Sequence, residues 1–341
     1  MQRITLWTRG AAALAAALLV VLLLAGCGSD GDSGATSGGE GVVGTVETMF
    51  GTITVPEPDD GELTVVALGW SDAEMALALG VKPVAVLDWQ GFGEEDKGVG
   101  PWATDLFGDV QPEILTQTDG SVNYEQIQLL EPDLILNTRS GNDEKEFNRL
   151  SEIAPTVYAP TGTGAFATTW DVQLASVAAA LGKSEEGETL AAELKDRIAE
   201  TAEENPDLKG MTVASAAKFG DAYGAYLPGD GRLDVLTDLG LVNNPGIADL
   251  DANGFFATVP GEKVSVLDAD VAVILPIGFT VADVENDKLL QSLDVVKDGR
   301  AVVIDPDSDL GGAWSASSVL SIPFVLDEIV PQLAEAAKKK A

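Results

Sequence analysis

One pattern of residues occurs twice in this chain, and it constrains the fold more than any other feature. It reads "YEQIQLLEPDLIL" at residues 124–136 and "EKVSVLDADVAVI" at residues 262–274. In the first copy Glu125 stands eight residues before Asp133, and in the second Glu262 stands eight residues before Asp270. Each copy begins as a short amphipathic helix and ends as an apolar strand. The repetition predicts two lobes that share one architecture.

Strand and helix signals alternate on both sides of a long helical region. Short apolar runs such as "TVVALG" (64–69) and "DVAVIL" (270–275) are typical of buried parallel strands. The segment "SDAEMALALG" (71–80) predicts a helix that begins with a capping box between Ser71 and Glu74. Because such alternation favours parallel sheets covered by helices, the predicted fold class is α/β, with two lobes joined by helix.

Shifts in composition set the predicted boundaries. Residues 28–41 are rich in Gly and Ser and predict a disordered tether, and Pro206 ends the longest helical stretch. The predicted segments are a signal peptide at 1–26, a tether at 27–60, an N-terminal lobe at 61–167, a connecting helical region at 168–205 and a C-terminal lobe at 206–341.

The N-terminus predicts export and attachment to lipid. Arg3 and Arg9 form a positive region before an apolar stretch, residues 11–24, that is short for a transmembrane span. The Leu-Ala-Gly-Cys sequence that follows resembles a bacterial lipobox, in which the thiol of Cys27 receives a diacylglyceryl group. An uncleaved anchor helix with an unrelated Cys is the alternative. Both interpretations place the protein outside the cytoplasm and tethered to the membrane.

Composition excludes several kinds of chemistry and one kind of partner. The chain has no His and one Cys, which rules out Ser-His-Asp and Cys-His catalysis, internal disulfides, and zinc sites with His or several Cys ligands. Its formal net charge is −35, whereas nucleic-acid binding requires a basic surface. We therefore expect no nucleic-acid partner, and any catalysis would depend on carboxylate, Lys, Ser or Tyr side chains.

Aromatic side chains are concentrated in the loops that follow predicted strands. Ligands bind beyond the carboxyl ends of the strands in open parallel sheets, and aromatic walls suit a bulky amphipathic molecule. Arg139 also follows a strand, where it either pairs with an anionic ligand or forms an ion pair inside its lobe. The predicted ligand-binding residues are Trp70, Trp89, Trp102, Arg139, Trp170, Phe219, Tyr223, Phe279 and Trp314.

Several segments, taken together, resemble the substrate-binding lipoproteins of iron-siderophore ABC importers, in the iron/cobalamin periplasmic-binding superfamily. They are "VVALGWSDAEMALALGVKPVAVLDW" (65–89), "GVGPW" (98–102), "YEQIQLLEPDLILN" (124–137), "RLSEIAPTVY" (149–158) and "SIPFVLDEIVP" (321–331). The resemblance extends from about residue 62 to the C-terminus. It implies two Rossmann-like lobes bridged by a rigid helix, the class III architecture of substrate-binding proteins, with the ligand held in the cleft between them.

The resemblance also gives the repeated Glu residues a role. Family members are similar in carrying one surface Glu on each lobe that docks onto the membrane permease, and Glu125 and Glu262 match those positions. The implied partners are a ferric siderophore, a dimeric ABC permease with its ATPase subunits, and the membrane through the lipid anchor. Iron is implied only as a siderophore complex, with no resident cofactor or metal site. The chain departs from its relatives at "RSG" (139–141), where they often carry Tyr-Ser-Gly.

The expected function is capture of a ferric siderophore outside the cytoplasm and its delivery to the importer, without catalysis. Two alternatives are open: the same fold binding cobalamin or haem, or a secreted carboxylate-dependent hydrolase. A glycosidase of the second kind would hold two carboxylates about 5–10 Å apart in one cleft. The repeat instead predicts Glu125 and Glu262 on separate lobes.

Overall fold

The computed structural model describes residues 41–117 and 119–340. The predicted signal peptide and Cys27 therefore lie outside the described residues. Among the described residues, none of the helices combines the length and the apolar character that a membrane span requires.

An antiparallel hairpin opens the described part of the chain. Its strands are β1 (Val42–Thr48) and β2 (Gly51–Pro56). The hairpin packs against the connecting region, and a Cβ on Gly44 would lie 2.0 Å from the Ala179 carbonyl oxygen, so this close approach requires Gly. The prediction of a tether through residue 60 is wrong for these strands. It followed composition, whereas Val side chains of both strands are buried between exposed neighbours.

The N-terminal lobe is a parallel sheet covered by helices. Its strands are β3 (Val65–Ala67), β4 (Ala85–Leu87), β5 (Glu113–Leu115), β6 (Leu134–Asn137) and β7 (Thr156–Tyr158). Its helices are α1 (Asp72–Ala78), α2 (Pro101–Thr104), α3 (Tyr124–Leu129) and α4 (Glu144–Ser151), with a 3₁₀ turn at Asp105–Phe107. The strand order is β5-β4-β3-β6-β7, and every pair is parallel. The continuous apolar runs correctly predict strands buried on both faces.

Two helices connect the lobes, α5 (Trp170–Ala180) and α6 (Ser184–Glu204). The second is uninterrupted and, at about 1.5 Å per residue, extends roughly 30 Å. It buries Leu194 and Ile198 against the core. A 3₁₀ turn that starts at Pro206 follows it and leads into the second lobe.

The C-terminal lobe contains a mixed sheet. Its strands are β8 (Thr212–Phe219), β9 (Ala222–Tyr226), β10 (Val242–Asn243), β11 (Ala252–Asn253), β12 (Phe256–Val259), β13 (Val271–Ile277) and β14 (Ala301–Val303). Its helices are α7 (Gly231–Asp238), α8 (Pro245–Ala248), α9 (Val281–Glu285), α10 (Asp294–Lys297), α11 (Asp309–Ala316) and α12 (Ser321–Lys338), with 3₁₀ turns at Gly261–Leu267 and Leu290–Ser292. Strands β10, β8, β13 and β14 pair in parallel, whereas β9, β12 and β11 extend the sheet from β8 in antiparallel fashion. The sequence did not predict this extension.

The repeated pattern has a common structural role in the two lobes. A carboxylate oxygen of Asp133 accepts a hydrogen bond from the Thr64 backbone N–H at 2.8 Å, just before β3. In the second lobe Asp270 accepts one from the Thr212 backbone N–H at 2.9 Å, at the start of β8. Because β6 lies beside β3 and β13 lies beside β8, each Asp joins the first residues of two adjacent parallel strands. The prediction of two lobes built on one plan is confirmed at these strands.

Candidate ligand-binding site

An apolar cavity of about 470 Å³ lies between the facing edges of the two lobes. Its volume falls in the range of about 300–1,000 Å³ that is typical of small-molecule sites. The N-terminal lobe contributes Trp70, Trp89 and Gln90, and the C-terminal part contributes Ala217, Phe219, Gly224, Tyr226, Arg232, Phe255, Phe256, Leu275, Ile277 and Ser315.

The N-terminal wall is a stack of aromatic rings. Trp70 follows β3 and Trp89 follows β4, and their rings are nearly parallel, with centroids 4.5 Å apart and an interplanar angle of 12°. The Phe166 ring lies 4.3 Å from Trp70, between centroids. Both Trp residues occupy loops at the carboxyl ends of adjacent parallel strands, the position that the fold predicts for ligand contacts.

The C-terminal wall is built on the hairpin of β8 and β9. Because side chains alternate along a strand, Ala217 and Phe219 of β8 face the cavity while Lys218 between them faces away. The same alternation directs Tyr226 of β9 into the cavity. Phe255 joins the two walls, since its ring lies 6.0 Å from Trp70 and 6.5 Å from Tyr226, between centroids.

The cavity contains one charged side chain, Arg232, among the described residues that line it. Asp230 is the N-cap of α7 and holds Arg232 through two hydrogen bonds, from Nε at 2.8 Å and from Nη2 at 2.7 Å. The guanidinium also lies over the Tyr226 ring, 3.9 Å from its centroid. Both charged residues are almost completely buried, so the pair is fixed rather than solvated.

A buried polar cluster joins the lobes behind the aromatic wall. The Arg139 Nη1 donates to the Ala316 carbonyl oxygen at 2.8 Å, and its Nη2 lies 3.9 Å from an Asp230 carboxylate oxygen. Burial lowers the pKa of Arg139 to about 10, although Asp230 opposes this change. Of the two roles predicted for Arg139, the structure favours an ion pair, but the partner belongs to the other lobe and not to its own.

Glu74 belongs to the same cluster, and the capping box predicted for it is wrong. Ser71 has a left-handed backbone (φ 63°) and donates its hydroxyl to the Ala316 carbonyl oxygen at 2.9 Å, instead of capping α1. The buried Glu74 carboxylate accepts hydrogen bonds from Trp102 Nε1 at 2.7 Å and from the Ser318 hydroxyl. Burial raises the pKa of Glu74 to about 7, although these hydrogen bonds lower it.

The structure separates the predicted ligand-binding residues into two groups. Trp70, Trp89 and Phe219 line the cavity, and Arg139 lies behind Trp70 with its guanidinium carbon 5.7 Å from the ring centroid. The cavity is not lined by Trp102, Trp170, Tyr223, Phe279 or Trp314.

Each residue of the second group has another environment. Trp102 is turned toward Glu74. Trp170 and Trp314 are buried in the hydrophobic core, with Trp314 only 1% exposed. Tyr223 and Phe279 lie against Lys218, on the face of β8 opposite the cavity. The sequence predicted these residues from an expected position in loops, but Trp102, Trp170 and Trp314 lie in α2, α5 and α11, and Tyr223 lies in β9.

Sequence reasoning missed most of the C-terminal wall, including Tyr226, Arg232, Phe255 and Phe256. A local signal was present for part of it. Gly220-Asp221 separates two apolar runs, and a two-residue Gly-Asp turn between such runs is typical of a β-hairpin. Gly220 adopts φ 53° there, so this signal predicts β9 and the inward position of Tyr226.

Comparison with known proteins agrees with this architecture. A probable siderophore-binding lipoprotein of Bacillus subtilis (strain 168), YfiY, is 28% identical over 342 residues, covering 92% of this chain and 94% of the relative. The crystal structure of a periplasmic solute binding protein from Mycobacterium smegmatis has a TM-score of 0.74 and 30% identity, over 87% of this chain and 99% of the other. PiaA of Streptococcus pneumoniae TIGR4, in complex with ferrichrome, has a TM-score of 0.74 and 26% identity, over 86% and 99%.

The family is established by a match over most of the chain. The family model described as periplasmic binding protein matches residues 65–308, which include the N-terminal lobe, the two connecting helices and the C-terminal lobe through β14. Such proteins bind solutes and are not enzymes. Since the match spans more than half of the chain, this protein belongs to the periplasmic binding protein family and has its class III fold.

Proposed function

We propose that this protein is an extracytoplasmic lipoprotein that captures a ferric siderophore between its lobes and delivers it to an ABC importer. The observation that carries the proposal is the aromatic cavity between two lobes of a solute-binding fold. The relatives named above as a siderophore-binding lipoprotein and as a ferrichrome complex support the same ligand class. Iron is the cargo and enters inside its chelate, because aromatic and aliphatic walls suit an organic shell and not a bare cation.

Delivery requires docking on the permease, and we assign it to Glu125 and Glu262. One lies in the first turn of α3 and the other in the 3₁₀ turn at Gly261–Leu267, and both are exposed. Leu129 lies one helical turn after Glu125 and is 84% exposed, so it is accessible to the same partner surface. Charged contacts of this kind fix the orientation of a complex more than its affinity.

Attachment to the membrane is assigned to Cys27, which lies outside the described residues. A diacylglyceryl thioether with a further acyl chain gives stable anchoring. The variant Cys27→Ser should therefore move the protein from the membrane fraction to the soluble fraction. Retention of that variant in the membrane would favour an uncleaved anchor helix instead.

Ligand binding is tested with the full chain and a panel of ferric siderophores, monitored by intrinsic Trp fluorescence. Trp70 and Trp89 line the cavity, so a bound chelate should quench the emission in a saturable, one-to-one manner. Iron-free siderophores and ferric ion alone serve as controls, and both should bind far more weakly. If cobalamin or haem binds and no member of the panel does, the assignment of the ligand class is wrong.

A further inference from the structure

The positive charge in the cavity wall is already neutralised. Arg232 donates two hydrogen bonds to the two carboxylate oxygens of Asp230, at 2.8 and 2.7 Å, and a third from Nη1 to the Tyr226 hydroxyl at 3.2 Å. A bidentate pair of this geometry has no net charge and is held by burial of both partners. Arg232 therefore does not provide the uncompensated cation that an anionic ligand requires.

The neighbouring cationic side chains, Lys218 and Arg139, are also bound to groups of the protein. Lys218 points away from the cavity, where its Nζ lies 2.8 Å from an Asp287 carboxylate oxygen. Arg139 is 2% exposed behind Trp70 and directs one of its donors to the Ala316 carbonyl oxygen. Neither side chain offers a free ammonium or guanidinium group to the cavity.

The buried cluster as a whole has little net positive charge to offer to a ligand. Arg139 and Arg232 face three carboxylates, those of Asp230, Asp72 and Glu74. With all of them ionised the cluster has one negative charge in excess. Burial raises the pKa of both Asp72 and Glu74, and with both protonated the excess becomes one positive charge. A single positive charge, buried on Arg139, is thus the most that the cluster can offer.

The charge of a ferric siderophore depends on its chelating groups. Three hydroxamates, each with one negative charge, neutralise the three positive charges of ferric ion and give a neutral complex, and a pendant amine makes it singly positive. Three catecholates, each with two negative charges, leave a complex with three negative charges. Transfer of such an anion into an apolar cavity removes its water without supplying countercharges, which is strongly unfavourable. The net charge of −35 also disfavours its approach.

The apolar surface and the hydrogen-bond donors of the cavity both suit a neutral hydroxamate complex. Its aromatic rings offer apolar surface to methylene spacers. Arg has five N–H groups, so the three donated to Asp230 and Tyr226 leave two on Arg232 that can donate to uncharged carbonyl or hydroxamate oxygens. Donation from a neutralised guanidinium supplies direction without requiring a negative charge on the ligand.

We infer that this cavity selects ferric siderophores that are neutral or singly positive, of the tris-hydroxamate class, against anionic catecholate or carboxylate complexes. The inference rests on the proposed function and adds the charge class of the ligand to it. The Arg232–Asp230 pair is the element that sets this preference, because it places a hydrogen-bond donor in the cavity without net charge.

The test compares the affinities of the full chain for siderophores of different charge. Ferrichrome (neutral), ferrioxamine B (singly positive), a ferric tricatecholate such as ferric enterobactin, and ferric staphyloferrin B are titrated separately and monitored by Trp fluorescence. We expect the two hydroxamates to bind at least about 100-fold more tightly than either anionic complex. The Kd of ferrichrome should also change less than about twofold between low and high salt, because a neutral complex has no net charge to be screened.

These titrations distinguish failure of the inference from failure of the proposed function. Tighter or equal binding of an anionic complex overturns the inference and leaves the proposed function intact. Failure of every siderophore to bind overturns both.

Two variants locate the cause of the preference. Asp230→Asn frees the guanidinium charge, and Gln90→Lys adds a cation at the half-buried rim without altering the buried cluster. Each should raise the affinity for the anionic complexes relative to ferrichrome by about tenfold or more. An unchanged ratio in the folded Gln90→Lys protein would contradict the inference even if Asp230→Asn does not fold.

Discussion

The two lobes share a strand plan but contribute to the cavity in different ways. In the N-terminal lobe the contacts come from loops at the carboxyl ends of parallel strands, as Trp70 and Trp89 show. In the C-terminal lobe most of them come from the strands themselves, both from the parallel strands β8 and β13 and from the antiparallel extension of β9 and β12. The shared architecture therefore places the cavity between the lobes, whereas the extension found in one lobe adds Gly224, Tyr226 and Phe256 to its wall.

Some structural features are shared by the two lobes, whereas the charged residues near the cavity are not. The carboxylates of Asp133 and Asp270 make the same hydrogen bond in both lobes. The charged residues beside the cavity have no such symmetry, since the Arg232–Asp230 pair lies in the C-terminal lobe and Glu74 in the N-terminal lobe. Each prediction below tests whether a residue acts through the shared plan or through one lobe.

The largest expected effect concerns the exposed Glu on each lobe. In the double variant Glu125→Ala with Glu262→Ala, we expect nearly complete loss of siderophore uptake with unchanged siderophore affinity, because both carboxylates lie outside the cavity. Each single variant should retain part of the activity, and reversal of charge to Arg should be worse than Ala through like-charge repulsion. Uptake of radiolabelled ferric siderophore by cells expressing each variant measures this.

A matched control removes two exposed carboxylates from the first turns of other helices. Glu144 in α4 and Glu185 in α6 are suitable, because both are exposed and their removal changes the net charge equally. Normal uptake in the Glu125/Glu262 variant, or equal loss in the Glu144/Glu185 control, would refute the docking role. Loss of siderophore binding in the folded double variant would place these carboxylates in the ligand site.

The next effect concerns stability and pH, at the cluster that joins the lobes. The Glu74 carboxyl has an ordinary pKa of 4.5 and a folded value of about 7, because of burial. Folding therefore favours its protonated form, so its stabilisation is complete below about pH 4.5 and is lost as the pH rises to about 7. At about 1.36 kcal/mol per pKa unit, the loss is on the order of 3 kcal/mol.

The variant Glu74→Gln should remove this dependence. Its amide oxygen can accept the hydrogen bonds from Trp102 and Ser318 without bearing a charge. We expect a free energy of unfolding close to that of the wild type at pH 4.5, and higher than it by up to about 3 kcal/mol at pH 8. Urea unfolding at several pH values measures the difference, with the exposed Glu185→Gln as control. Parallel pH profiles for Glu74→Gln and the wild type would show that the carboxyl titrates normally.

A smaller effect is expected on ligand affinity when one aromatic residue is removed from either wall of the cavity. Trp70 touches Trp89, Phe166 and Phe255, so its ring connects both lobes. Replacement with Ala should weaken binding by roughly 30-fold, or about 2 kcal/mol, and Phe255→Ala should weaken it by roughly tenfold.

Calorimetry suits this comparison, because the Trp variants alter the fluorescence signal itself. The control is Trp314→Phe, since Trp314 is buried in the core and does not line the cavity. Its affinity should stay within about twofold of the wild type. Should Trp314→Phe weaken binding as much as Trp70→Ala, the cavity described here would not be the ligand site.

Much of the fold follows from the sequence because it depends on local patterns. Apolar runs predict β3, β4, β6, β8 and β13, and the repeat predicts their arrangement in two lobes. The positions of Trp70 and Trp89 follow from the rule for parallel sheets. These features need only the order of residues along one strand or one helix.

What the sequence did not predict depends on contacts between distant residues. Ser71 and Glu74 have the spacing of a capping box, but their partners Ala316 and Ser318 come from the other end of the chain. Trp314 was predicted to lie in a loop after a strand, as Trp70 does, but it lies in α11 and is buried in the core. The sequence likewise allowed two roles for Arg139, and the structure favours the ion pair because Asp230 lies beside it.

The smallest effect returns to the repeated Asp. Replacement of Asp133 with Ala leaves the Thr64 backbone N–H without its partner, at a cost of about 1 kcal/mol. Asp270→Ala does the same to Thr212 and also removes the ion pair with Lys340, which is partly exposed and adds at most about 1 kcal/mol. Burial raises the pKa of Asp270, but Lys340 and Thr212 together hold it below its ordinary value of 3.8.

The Asp270 ion pair therefore stabilises the protein above about pH 3.8, and this contribution is lost as the pH falls below that value. We expect urea unfolding to show a larger loss for Asp270→Ala than for Asp133→Ala at pH 7, with siderophore affinity unchanged in both. The Asn variants keep an oxygen that can accept the backbone hydrogen bond, so Asp133→Asn should be nearly neutral while Asp270→Asn loses mainly the ion pair. If Asp133→Ala proves the more destabilising, or if either variant alters affinity, then the two lobes do not use this residue in the same way, and the repeat would reflect function in one lobe and strand geometry in the other.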